Sequence, residues 1–427
     1  MNPGDLVQIT TSEETLEGVI IQRPELLGDD ILVLKLDNGY NICIEKKKIQ
    51  KVKVLKPYEK PKEKKLKLRH TKGLPTVSIL STGGTIASKV DYRTGGVYAD
   101  YTAEDYVQML PELAGIANIK ARKVMAMMSE DIASKEWIEI AKEVKKELDA
   151  GADGVVITHG TDTLHYSTAA LSFFLQGLPK PVIFTAAQRS IDRGSSDAFM
   201  NLICSVKAAT SWDGAEVATC LHGTTNDSHC ILNRGTKTRK MHTSRRDAFR
   251  PINELPLAEV PLEGSIRIVN ASYKKRNDGK AALEASFDPK TALIQIHPEI
   301  DPSIIDYYVS KGYKGIVLSA TALGHIPVNG PKSFIPQLEK AIKKGVIVAI
   351  ASQTLYGRAH PLVYTNLRKL SLGLGCVFAE DMTPETAFVK LGWLLSREKD
   401  TGKVKELFKT NLTGEISERI LPDSFLY

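Results

Sequence analysis

The chain has 427 residues, 42% hydrophobic and 25% charged, which excludes a wholly disordered polymer and suggests two or three domains. No apolar run nears the roughly 20 residues of a bilayer span, and the opening MNPGDLVQIT lacks a signal peptide's basic-then-apolar pattern, so no membrane association is expected. Five cysteines (Cys43, Cys204, Cys220, Cys230, Cys376) are odd in number and scattered, which argues against a disulfide scaffold and for a reducing cytoplasm.

The net charge is +7, but it is concentrated. Lys51 to Lys72 holds ten Lys/Arg against Glu59 and Glu63, a local excess of +8 that leaves the rest of the chain near −1. Nucleic-acid-binding proteins usually carry such an excess on a folded face. This one reads as a connector.

Residues 1–50 read as short strands at 5–10, 16–22, 31–36 and 40–45. Asp37-Asn38-Gly39 supplies a hairpin turn with φ > 0 at both central positions. Strands that short and that close suggest a small β-barrel. Residues 51–73, Lys-rich with two prolines, read as a stiff solvated linker. From Leu74 the pattern changes to α/β. Thr76–Leu80, Gly154–Thr158, Pro181–Thr185 and Glu216–Cys220 read as strands of a parallel sheet buried on both faces. Between them lie a helix capped by Ser134, with Trp137, Ala141, Val144 and Leu148 on one face, and a helix with Phe199, Leu202, Ile203 and Val206 inward. Alternation fades over 250–290 and resumes at Leu293, with helices opened by Asp301-Pro302 and Thr383-Pro384. The expected domains are therefore 1–50, a linker at 51–73, a larger α/β domain at 74–290 and a smaller one at 291–427.

Two loops follow buried strands, where parallel sheets bind ligands. In Ser81-Thr82-Gly83-Gly84-Thr85-Ile86-Ala87-Ser88, a phosphate cradle, a threonine nucleophile on a glycine hinge and a plain turn all remain open. No lysine follows the glycines, as a P-loop would require. In His159-Gly160-Thr161-Asp162-Thr163 a second hydroxyl stands beside a carboxylate, with helix capping as the competing role. A hydroxyl needs a base to become a nucleophile. His159 and His165 are near but are the kind of histidine more often structural, and a lysine within Thr238-Arg239-Lys240-Met241-His242 is the other source. Cys220, His222, His229 and Cys230 match no common zinc spacing. Asn411-Leu412-Thr413 reads as a chance glycosylation sequon.

STGGTIAS, ITHGTDT and RKMHTSRRDAF, in that order, resemble the L-asparaginase family over roughly 74–427. With the β-rich extension the chain is similar to the branch that serves archaeal glutamyl-tRNA(Gln) amidotransferases. The resemblance implies an α/β, asparaginase-like two-domain parallel-sheet fold preceded by a small N-terminal β-barrel. It implies a nucleophile at Thr85, further catalytic groups at Thr161 and Asp162, and a catalytic lysine at Lys240, with Lys237 as the competing register. It puts substrate contacts at Gly84, Ser129 and Glu130, where many asparaginases have Gln in place of Glu130. It adds a mobile-loop tyrosine at Tyr98, with Tyr92 or Tyr101 as alternatives. Arg239, Arg245 and Arg246 are candidate second cations near the lysine. The implied reaction is glutamine hydrolysis releasing ammonia, with no cofactor for that half. The implied partners are a GatE subunit that uses ATP and Mg²⁺, a second copy of this chain within a heterotetramer, and tRNA(Gln) held mainly by the partner. A free-standing asparaginase is the alternative.

Overall fold

The computed structural model describes residues 2–21, 30–58, 70–84, 86, 108–191 and 194–427, with 88–90 and 97–99 as backbone. The chain divides into two units, Met1–Leu68 with Ala87–Asp100, and Arg69–Ile86 with Tyr101–Tyr427.

In the first unit β1 (Leu6–Thr11), β2 (Thr15–Ile21), β3 (Ile31–Lys35), β4 (Asn41–Glu45) and β5 (Ile49–Lys56) form one antiparallel sheet, ordered β4-β3-β2-β1-β5. Alternate residues Val7, Ile9, Ile20, Leu32, Leu34 and Ile44 make its core. Among the described residues no pairing joins β4 to β5, so the expected barrel is an open sheet. The linker does not begin at Lys51. Residues 51–56 continue β5 and pair with β1, Val54 opposite Val7 and Val52 opposite Ile9. The β3–β4 turn also differs from expectation. Only Gly39 has positive φ (+88°), and its N–H donates to the Leu36 carbonyl at 2.9 Å. This is a three-residue loop closed by a glycine bulge, not a two-residue turn. The unit also holds β7 (Ser88–Val90) paired with β8 (Val97–Ala99).

The second unit is built on an eight-stranded sheet. Its parallel part comprises β6 (Thr76–Gly83), β9 (Asn118–Met127), β10 (Gly154–Thr158), β11 (Val182–Thr185) and β12 (Val217–His222). Every residue of β10 is buried, as its unbroken apolar run requires. After β12 the sheet continues antiparallel through β13 (His229–Arg234), β16 (Ala258–Pro261) and β17 (Arg267–Ile268). The hairpin β14 (Thr238–Lys240) with β15 (Phe249–Pro251) stands apart as its own two-stranded sheet. A second, wholly parallel sheet runs β18 (Thr291–Gln295), β19 (Gly315–Ala320), β20 (Ile347–Ser352), β21 (Val377–Phe378).

α1 (Ser134–Asp149) buries Trp137, Ile140, Ala141 and Val144. Ser134 lies inside the helix rather than capping it. Glu136 instead accepts the Ala133 N–H at 3.0 Å. α2 (Leu164–Phe174) and α6 (Pro384–Arg397) are buried nearly all round, and Phe173 stacks on Trp393 at 5.6 Å between centroids. One core cluster thus takes in Leu80 and Val155 from the first sheet and Val317 and Ile347 from the second.

Candidate active site

β6 has β9 on one side and β10 on the other. The chain runs from β6 out to β9 and back to β10, so their connections diverge. Such a switch point opens a crevice beyond the carboxyl ends of the strands. Here it falls between the two threonine loops. Thr82 Oγ1 donates to the Thr158 carbonyl at 3.0 Å and ties the tips together. Gly84 has φ +76°, and a Cβ there would stand 2.6 Å from both N and Cα of Gly160. A Cβ on Gly160 would stand 2.7 Å from the Cβ of Ser129. Three strand tips are therefore packed together, Gly84 against the Gly160 backbone and Gly160 against the Ser129 side chain, with no room for a Cβ at either glycine.

Ser129, in the turn after β9, is buried, and its Oγ accepts the Asp162 N–H at 3.2 Å. Thr163 Oγ1 donates back to the Ser129 carbonyl. Thr163 is thus a clasp between two loops, a function its place in HGTDT did not reveal. Glu130 is exposed beside Ser129.

Lys240, at the end of β14, reaches this crevice. Its Nζ donates to Thr161 Oγ1 at 2.8 Å and to Asp162 Oδ1 at 2.7 Å. The lysine hydrogen bond holds the Asp162 carboxyl below its ordinary range. Lys237, the competing register, points elsewhere. Its Nζ donates to Asp381 Oδ2 at 2.6 Å, with both side chains fully buried. The three arginines considered as second cations are each paired with a carboxylate. Arg239 bonds Glu385, Arg245 bonds Asp247 at 2.8 Å, and Arg246 bonds Asp227 at 3.0 Å.

Neither histidine is placed to serve as the base. His159 is buried with Nδ1 2.7 Å from the Gly160 carbonyl and Nε2 3.0 Å from Ser167 Oγ, which also receives the Trp137 indole N–H at 3.0 Å. Burial lowers its pKa to about 4. This chain of bonds fixes one tautomer, with Nδ1 as the donor, and braces the loop from behind. His165 is buried against Tyr166, its pKa lowered to about 3 by burial and then by Arg239 and Lys240.

Thr85 lies outside the described residues, as do Tyr92 and Tyr101. Tyr98 falls on β8, pairing with Lys89 along the backbone. Cys220 and His222 stand on β12 beside β13, which carries His229 and Cys230, but His222 bonds Asn201 and Asp227 instead. Among the described residues no group of three or more His, Cys, Asp or Glu could hold a metal. All five cysteines are free thiols. No helix among the described residues is long and apolar enough to cross a membrane.

Three sequence families match the chain. They are the asparaginase N-terminal family over 76–274, the glutaminase/asparaginase C-terminal domain over 290–408 and the GatD N-terminal domain over 1–55. The D subunit of the glutamyl-tRNA(Gln) amidotransferase of Pyrococcus furiosus is 47% identical, with 99% of this chain and 97% of that protein aligned. Its counterpart of the same name in Methanothermobacter thermautotrophicus is 45% identical over 97% of this chain and 94% of that protein. Among solved structures, the L-asparaginase of Thermococcus kodakarensis superposes with a TM-score of 0.70 at 29% identity, covering 81% of this chain and 100% of that one.

Proposed function

The chain belongs to the asparaginase family, in the branch of the glutamyl-tRNA(Gln) amidotransferase D subunits, and from that premise we propose how its own residues hydrolyse glutamine. It is the glutaminase component of a tRNA-dependent amidotransferase, supplying ammonia for the conversion of Glu-tRNA(Gln) to Gln-tRNA(Gln). The GatD-type domain at 1–55 favours this over a free-standing asparaginase, because solved asparaginases are covered in full by only 81% of this chain.

The nucleophile is the Thr85 hydroxyl, assigned by its place in GGTIA. Its oxygen attacks the side-chain carboxamide carbon of glutamine and gives up its proton, with Tyr98, or in its place Tyr92 or Tyr101, as the relay. Backbone N–H groups at the glycine turn receive the developing oxyanion. The C–N bond breaks, ammonia leaves with the proton, and a glutamyl ester of threonine remains. Thr161, held by Lys240 with Asp162 as counter-ion, orients the water that attacks the ester carbonyl carbon; as the bond to Thr85 breaks, the proton of the water passes to the Thr85 oxygen, releasing glutamate and restoring the hydroxyl. Ser129, Gly84 and Glu130 hold the amino-acid end, where a carboxylate at 130 pairs with the substrate ammonium more strongly than an amide. The partner is a GatE subunit, which uses ATP and Mg²⁺ and holds most of the tRNA. Two copies of each subunit form the heterotetramer.

The observation that carries this reading is the Lys240 ammonium donating to both Thr161 and Asp162 at the tip of β10, beside the Gly84–Gly160 contact. The test is amidation of Glu-tRNA(Gln) by the reconstituted complex, with glutamine or ammonium chloride as nitrogen source. Thr161→Ala and Lys240→Met are expected to lower the glutamine-dependent rate by about 100-fold or more. The ammonium-dependent rate is expected to stay unchanged. Equal loss with both nitrogen sources would defeat the assignment. Full activity on asparagine by the chain alone, indifferent to partner, would favour the free-standing enzyme.

A further inference from the structure

Lys240 ends a three-residue strand, and a hairpin that short does not hold a lysine head in place by itself. What holds it comes from the C-terminal domain, through four contacts with the segment 380–386 and its neighbours. Lys237, just before β14, donates to Asp381 at 2.6 Å in full burial. Thr386 Oγ1 donates to the Thr236 carbonyl at 2.8 Å. Asn253, just after β15, donates to the carbonyls of Gly357 at 3.1 Å and Asp381 at 3.0 Å, and accepts the Gly357 N–H at 2.8 Å. Arg239, within β14, forms an ion pair with Glu385, a mostly buried residue in the first turn of α6.

Neighbouring residues of a strand project to opposite faces. Arg239 and Lys240 follow that rule. One side chain is pinned to the C-terminal domain and the other reaches the Thr161–Asp162 loop. Glu385 also neutralises a guanidinium one residue from the lysine.

We infer that Glu385 is a positioning residue for glutamine hydrolysis, acting through Arg239 to place the Lys240 ammonium on Thr161 and Asp162. This rests on Lys240 acting in the reaction as described. The C-terminal domain, which contributes none of the Thr161, Asp162 and Lys240 side chains, then sets their geometry.

The test is steady-state glutamine hydrolysis by the reconstituted complex carrying Glu385→Ala or Glu385→Gln, alone and combined with Lys240→Met. Glu385→Ala is expected to lower kcat about 10- to 100-fold, the range for a small misplacement of a reacting group, with KM for glutamine unchanged. Glu385→Gln, isosteric and still an acceptor, is expected to lose less, and serves if the alanine variant does not fold. In the Lys240→Met background neither change should lower the residual rate further. A drop in melting temperature with kcat intact would make Glu385 merely structural and overturn the inference, as would an undiminished loss in the Lys240→Met background. If Lys240→Met alone keeps full hydrolysis, the role of Lys240 fails first and the inference falls with it.

Discussion

At the position of Gly84 the absence of a side chain is a structural requirement. Its φ of +76° is unfavourable for other residues, and a Cβ would stand 2.6 Å from the backbone of Gly160, which cannot yield as a flexible side chain would. Gly84→Ala is therefore expected to cost about 1–3 kcal/mol of stability, read from the urea midpoint. It is also expected to slow glutamine hydrolysis by about 100-fold, because it pushes apart the two tips whose hydroxyls must cooperate. A variant with the parental rate would mean that the Gly84–Gly160 contact does not shape the site. This part of the site was legible because both motifs follow strands that announce themselves by composition. The choice of Lys240 over Lys237 came from the family pattern. Composition could not make it, since the Asp381 that occupies Lys237 lies 144 residues away in sequence. Glu385 and Asp381 were invisible for the same reason.

Elements were legible where burial is complete and harder to read where an edge or a polar face intervenes. β10 and β12 are buried throughout and read as strands at once. β5 hid inside a charge run because it is an edge strand, its Lys51-Val52-Lys53-Val54 alternating with period two while every side chain but Ile49 stays exposed. α3 (Ala198–Ser211) turns Leu202 and Val206 inward but also Asn201 and Ser205, leaving Phe199 and Ile203 half-buried. Asn201 is buried because it serves the backbone, donating to the Ala186 carbonyl at 2.9 Å and accepting the His222 N–H at 3.0 Å. A comparable polar anchor fixes the chain's end to α6. Lys390 and Glu415 form a fully buried ion pair at 2.5 Å, and Glu415 also accepts the N–H groups of Leu412 and Thr413. Removing one charge strands the other. Glu415→Ala is expected to destabilise by about 3–5 kcal/mol, against a much smaller loss when Lys390→Met accompanies it. Denaturation midpoints for the two single variants and the double variant decide this, and simple additivity would rule it out.

For the second unit as a whole, the boundary near residue 290 divides the sheets but is bridged by one apolar cluster that takes in both, beside a second cluster, with Ile294, Ile316 and Phe334, that belongs to the C-terminal domain alone. Loops of the first sheet and the C-terminal domain that clamps the lysine hairpin therefore share one stability. That stability has a calculable acid limit. His159 and His165 are buried neutral within this unit, with pKa values lowered to about 4 and about 3. Unfolded, each would titrate near 6.5. Above that pH neither state binds the proton and the histidines contribute no pH dependence. As pH falls below it the unfolded chain takes up protons that the folded chain refuses. Stability then drops by up to about 1.4 kcal/mol per pH unit for each histidine. The loss levels off only where the folded rings themselves protonate, near pH 4 for His159 and lower for His165. His165→Phe keeps a ring beside Tyr166 and removes one of the two titrations. Compared by urea denaturation at a series of pH values from 8 down to 4.5, the parent should lose stability faster than the variant below about pH 6.5, by up to about 1.4 kcal/mol per pH unit. Paired carboxylates such as Asp162 titrate below that window and cancel in the difference. Parallel curves for parent and variant would show that His165 is not held neutral by the fold.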